Sequence, residues 1–143
     1  MLSYAIQKAG YDYQQTDPQG ATDLAGFLGA IDSFPWTSQH VEWDEKGQDG
    51  PLPAVILQNA DDQRELWVTA LSDWRSFQIQ SVSQQPRKSL FGKPKMEQDV
   101  TVTEAPSRAE LETLCRQFCG RDYAGLDQEV KRLRAEERDR DDD

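Results

Sequence analysis

At 143 residues the chain has the size of one domain with one core, and two independently folded units are not expected. Its 26 acidic side chains against 16 basic ones leave a formal charge of −10, so the molecule repels nucleic acid at long range and no nucleic-acid partner is expected. Apolar residues reach only 36%, yet four Trp, five Phe and four Tyr supply area for a modest core, and no run approaches the roughly 20 apolar residues that span a bilayer.

The opening MLSYAIQKAG is interrupted by Gln7, Lys8 and Gly10 before an apolar run can become a secretory signal, so a cytoplasmic protein away from membranes is expected. A helix is predicted from about Pro18 to Phe34, started by Asp17-Pro18 or by Thr22-Asp23 and stopped by Pro35. Within it Leu24, Phe27, Leu28 and Ile31 recur at helical spacing, which gives one apolar stripe. Val41 and Trp43 then alternate with His40, Glu42 and Asp44, and this period of two predicts a half-buried strand. Ala54 to Leu57 is a continuous apolar run, as in a strand covered on both faces. The short polar turn Asn59-Ala60-Asp61-Asp62 makes Leu66 to Leu71 its antiparallel partner. Phe77 with Ile79, and Met96 with Val100 and Val102, mark two further strands. The segment 86–95, PRKSLFGKPK, joins them as a basic loop with one aromatic, Phe91, and reads as a solubilising hairpin tip.

After Pro106 the period changes. Ser107 and Glu110 have the spacing of a capping box, and Leu111, Leu114, Cys115 and Phe118 follow at helical intervals up to Gly120. A last helix begins near Leu126, with Val130 and Leu133 on its apolar side and Asp127 to Lys131 as an i, i+4 ion pair. The expected fold is α+β: an antiparallel sheet of about five strands with an N-terminal helix and two C-terminal helices packed on one face. Residues 1–135 form that single domain, and 136–143 are expected to fray as an acidic tail.

Little in the sequence carries catalysis. His40 is the sole histidine, no G-x-S-x-G elbow exists, and no glycine-rich phosphate loop precedes a helix. Cys115 and Cys119 stand one turn apart on one helix, where disulfide geometry is poor, and one distant histidine cannot complete a zinc set. They read as reduced core thiols. Asp44, Glu45, Asp49, Asp61 and Asp62 crowd the loops, but Asp44 to Gly50 lacks the alternating ligands and terminal Glu of an EF-hand. No metal, cofactor or catalytic residue is therefore assigned. The charge distribution is more informative, because residues 1–60 hold eight acids against Lys8 and Lys46 alone.

In its layout and charge, and in the run Phe27-Leu28-x-x-Ile31-Asp32-x-Phe34-Pro35-Trp36 entering an acidic segment, the chain resembles the small immunity proteins of bacterial toxin systems. That resemblance implies a non-catalytic, stoichiometric inhibitor that offers Glu42, Trp43, Asp44, Glu45, Asp49, Asp61 and Asp62 to a basic toxin. The carboxylates would speed association and the aromatic anchor would slow release. In size, charge and mixed helix and sheet content the chain also resembles secretion chaperones, which hold an effector segment in extended form. Their helix between the sheet strands is not visible between Val41 and Thr103. A small enzyme using loop carboxylates with a metal is the third reading.

Overall fold

Six antiparallel strands form a single sheet in the computed structural model, in the order β2-β1-β3-β4-β5-β6. The structure describes residues 1–71, 75–88, 92 and 94–141. In chain order the elements are β1 (Leu2–Gln7), β2 (Asp17–Ala21), α1 (Leu24–Ser33), α2 (Trp36–Glu45), β3 (Ala54–Asn59), β4 (Arg64–Ala70), β5 (Phe77–Lys88), β6 (Pro94–Ala105), α3 (Arg108–Cys119) and α4 (Tyr123–Asp141). The class is α+β, as the element pattern predicts. The sheet gains two N-terminal strands and lacks the expected one at 41–43, which is helical.

The sheet is two-sided in composition. Val55 and Leu57 of β3, Leu66 and Val68 of β4, and Phe77 and Ile79 of β5 face the helices, and all are buried. Against them pack Phe27 and Ile31 of α1, Leu111, Leu114 and Phe118 of α3, and Leu126, Val130 and Leu133 of α4. Each such side chain contributes roughly 1.5–3 kcal/mol by leaving water. The opposite face carries a smaller cluster of Ala5, Ala54 and Ile56 with Trp67 packed on it. Leu2, Tyr4 and Ile6 pack on the main core while Ala5 joins the other cluster, so β1 alternates with period two. β2, with the sequence DPQGA, has almost no strand propensity of its own. It exists because Ser3 to Ile6 supply a partner, across a register irregularity at Tyr4/Ala5.

The helix ends are set locally. Of the two expected starts for α1 the second is used: the Asp23 carboxylate accepts from the Gly26 N–H at 2.7 Å, a cap that typically contributes about 1 kcal/mol. The 17–21 segment is instead β2. Ser107 is the N-cap residue of α3, but its hydroxyl donates to the Glu110 carboxylate and caps no backbone N–H, so the expected box closes side chain to side chain. α4 continues to Asp141, past the Ala135 at which the tail was expected to fray, and Arg132 pairs with both Glu129 and Glu136 along it. The expected basic loop is largely ladder, since Pro86 pairs with Met96 and Lys88 with Pro94. Phe91, like Trp74, lies outside the described residues. Among the described residues no helix is long and apolar enough to cross a membrane.

Candidate functional site

The expected strand at 41–43 is the middle of α2, and this changes what its charges face. Trp36, Gln39, His40 and Trp43 recur at helical intervals and form the half-buried side of the helix, while Thr37, Ser38, Val41, Asp44 and Glu45 are exposed. No α2 residue is fully buried. The helix is pinned at its ends. The Trp36 indole N–H donates to the Ile31 carbonyl at 2.9 Å and its ring packs 4.4 Å from that of Phe34. The Trp43 indole N–H donates to the Gly50 carbonyl at 3.3 Å, and the Gln39 amide oxygen accepts from the Ala9 N–H at 2.8 Å.

Those contacts seat the C-terminal end of α2 on the loop between β1 and β2. The buried Gln7 amide holds that loop, donating to the carbonyls of Asp12, Tyr13 and Gln15. Gly10, at φ 87°, lies directly beneath Lys46: a Cβ there would stand 2.4 Å from Nζ, which the flexible lysine end could yield, so it is the left-handed backbone that favours glycine. Gly50, at φ 84°, likewise approaches the Tyr11 carbonyl. Glu42, Asp44 and Glu45 occupy the last turn of α2 and Asp49 the exposed turn after it, all carried on this seated end. The last turn holds no base. Lys46, the next residue, reaches Glu42 at 3.1 Å, and Gln48 donates to Asp44 at 2.8 Å.

Asp61 and Asp62 are placed elsewhere. They occupy the turn between β3 and β4, beyond the other end of a six-residue strand that spans about 17–20 Å. Asp61 is exposed, with the Met1 α-amino group at 2.7 Å. Asp62 is spent on structure: its carboxylate accepts from the Tyr123 hydroxyl at 2.6 Å, from Arg121 at 2.7 and 2.8 Å and from the Asn59 amide at 3.0 Å. The Tyr123 bond and then the Arg121 bond hold its carboxyl below the usual range. Burial, followed by the Asp62 bond, pushes the Tyr123 hydroxyl up to about 12. The seven sequence-derived residues therefore divide, with Glu42, Trp43, Asp44, Glu45 and Asp49 together and Asp61 and Asp62 apart.

Other places were chemically less open. A cavity of about 580 Å³ among the described residues lies between the end of α1 and the start of α3 and is lined by Ile31, Trp36, Phe77 and Arg108. Arg108 pairs there with Asp32 and Glu112, and Ser107 with Glu110. Burial raises the thiols of Cys115 and Cys119, so neither is an activated nucleophile. Among the described residues no three His, Cys, Asp or Glu side chains come together as a metal site.

The helical spacing of Trp36, His40 and Trp43 was the signal that sequence reasoning passed over. Compared with family models, curated proteins and solved structures, the chain matches none.

Proposed function

We propose that the chain is a non-catalytic binding module that neutralises a basic protein partner one to one, in the manner of a bacterial toxin-immunity protein acting in the cytoplasm. The observation that carries this reading is the placement of Glu42, Asp44 and Glu45 at the C-terminus of α2. Aligned peptide dipoles make a helix C-terminus negative, so an acid there costs roughly 0.3–1 kcal/mol where a base would gain as much. Three acids in one last turn break a local rule that the Lys46–Glu42 pair and the Gln48–Asp44 bond offset only in part, and such places are expected at functional surfaces. An arriving Lys or Arg would relieve both the helix end and the mutual repulsion of the carboxylates. Asp49 extends the same surface, and the half-buried Trp43 ring and the exposed Val41 supply apolar area beside it.

The test compares the wild-type chain with a variant carrying Glu42→Gln, Asp44→Asn, Glu45→Gln and Asp49→Asn. A partner captured from the native cell should associate with the wild type at a rate that falls steeply with salt, and the variant should lose roughly tenfold or more in association rate at low salt. An unaltered rate, or a partner that is itself acidic, refutes the reading.

A further inference from the structure

The two edges of the sheet are not alike. β2 is five residues long, contains Pro18 and Gly20, and pairs with β1 across a register irregularity, which are the features that discourage strand addition. β6 is twelve residues long and pairs with β5 in one unbroken register from Phe77↔Ala105 to Lys88↔Pro94. Among the described residues nothing pairs with its outer side.

Two hydrogen bonds fix which backbone groups that outer side presents. The Leu71 N–H donates to the Ser76 carbonyl at 3.0 Å and the Gln84 N–H to the Gln63 carbonyl at 3.2 Å. Even-numbered residues of β5 therefore bond to β4, and odd-numbered ones turn to β6. Through the pairing Ser81↔Thr101 the odd-numbered residues of β6 bond to β5. Gln98, Val100, Val102 and Glu104 consequently direct their N–H and C=O groups outward. Val100 and Val102 are each 47% exposed, on the face away from the helices.

We infer that β6 pairs antiparallel with β6 of a second copy of this chain, about a two-fold axis through Thr101. The segment Gln98-Asp99-Val100-Thr101-Val102-Thr103-Glu104 is nearly palindromic in polarity. With the axis at Thr101, Val100 faces Val102 of the second copy, Gln98 faces Glu104, and Asp99 faces Thr103. No carboxylate meets a carboxylate, and each of the four outward pairs exchanges two backbone hydrogen bonds, about eight in all. Moving the axis to Val102 would set Val100 against Glu104, and moving it to Val100 would set Val102 against Gln98. Axes between residues mismatch the outward groups. Thr101 meets itself as a non-hydrogen-bonded pair, with Cα atoms about 4.5 Å apart. The inference is independent of the acidic end of α2, which sits by the β1–β2 loop on the other side of the sheet.

The experiment follows the mass of the full chain by analytical ultracentrifugation over a concentration series. The wild type should move toward twice 16.3 kDa as concentration rises, and the Val100→Lys, Val102→Lys variant should stay monomeric with unchanged circular dichroism. In a Cys119→Ser background, Thr101→Cys should oxidise to a covalent dimer, because 4.5 Å lies within the Cα separation a disulfide tolerates, whereas Glu97→Cys, facing Ala105, should not. A wild type that stays monomeric up to its solubility limit overturns the proposal. So does a dimer that survives both lysines, or cross-linking no more efficient at Thr101→Cys than at Glu97→Cys. The cysteine comparison decides the matter even if the lysine variant folds poorly.

Discussion

Removing Asp127 should cost more than removing the arginine it pairs with. Arg64 rises from β4 with its side chain 10% exposed, while Asp127 on α4 is 52% exposed, at 2.9 Å. Among the described residues, the remaining partners of the guanidinium are the Ser81 hydroxyl at 3.3 Å and the Tyr123 ring, 4.7 Å from Cζ to the centroid. Its Nε makes no hydrogen bond among the described residues. Asp127→Ala therefore strands a buried charge. A charge-assisted bond is worth about 1.5–3 kcal/mol, and solvent screening at Asp127 takes the lower half, so the loss should be about 2 kcal/mol. In a chain of this length that lowers Tm by about 4–8 °C. Arg64→Met keeps the apolar stem, removes the buried charge and leaves Asp127 half in water, so it should cost under about 1 kcal/mol. The double variant should resemble Arg64→Met alone, so that the coupling relative to additivity equals the whole Asp127→Ala loss, about 2 kcal/mol. Urea unfolding followed by tryptophan fluorescence, with unchanged m values, measures all four corners of the cycle. An Arg64→Met loss equal to or larger than that of Asp127→Ala would refute the burial argument.

The link between the β3–β4 turn and α4 should make stability depend on pH at both extremes. Asp62 has a folded-state pKa below its ordinary 3.8, so its contribution is complete above that value and is lost as pH falls through the lower one; Asp62→Asn should flatten this part of the acid limb of the urea midpoint. Tyr123 has the opposite sense, since its contribution is complete below 10 and disappears as pH rises through about 12, and Tyr123→Phe should abolish that loss in the same assay. Because burial raises both thiols, a thiol reagent should modify the half-buried Cys119 slowly and Cys115 only on unfolding, as peptide mapping of timed samples would show. Truncation after Ala135 should cost under about 1 kcal/mol by thermal melting, because Leu133 is the last buried residue and what is lost is the exposed end of the helix with the Arg132–Glu136 pair.

Elements whose own residues carry a single clear period were legible in the sequence. Leu111, Leu114, Cys115 and Phe118 allow only a helix, and Ala54 to Leu57 beside a four-residue polar turn allow only a hairpin strand. At 36–45 two periods compete: His40 to Asp44 alternate as a strand would, while Trp36, His40 and Trp43 form a helical stripe. The stripe prevails because Pro35 and the two indole bonds to Ile31 and Gly50 fix the segment from outside. β1 does alternate, but so short a run gains meaning only from β3, its partner across two helices. β2 has no local signal at all. For the acidic set, residue type and exposure were readable. The separation of Asp62 was not, because Arg121 and Tyr123, which engage it, are some sixty residues distant.

The position of β1 in the sheet also governs how safely the chain folds. From Ala54 to Asp141 each strand pairs with its immediate chain neighbour, contacts that close small loops and form early, whereas β1 must reach β3 across both α1 and α2. Until it does, Ala54 to Leu57, the most continuous apolar run in the protein, is an unpaired edge. β1 thus acts as a guard strand. Amide exchange should find its hydrogen bonds opening before those between β4 and β5, and substitutions that loosen Tyr4 or Ile6 should raise aggregation more than their effect on stability alone would produce.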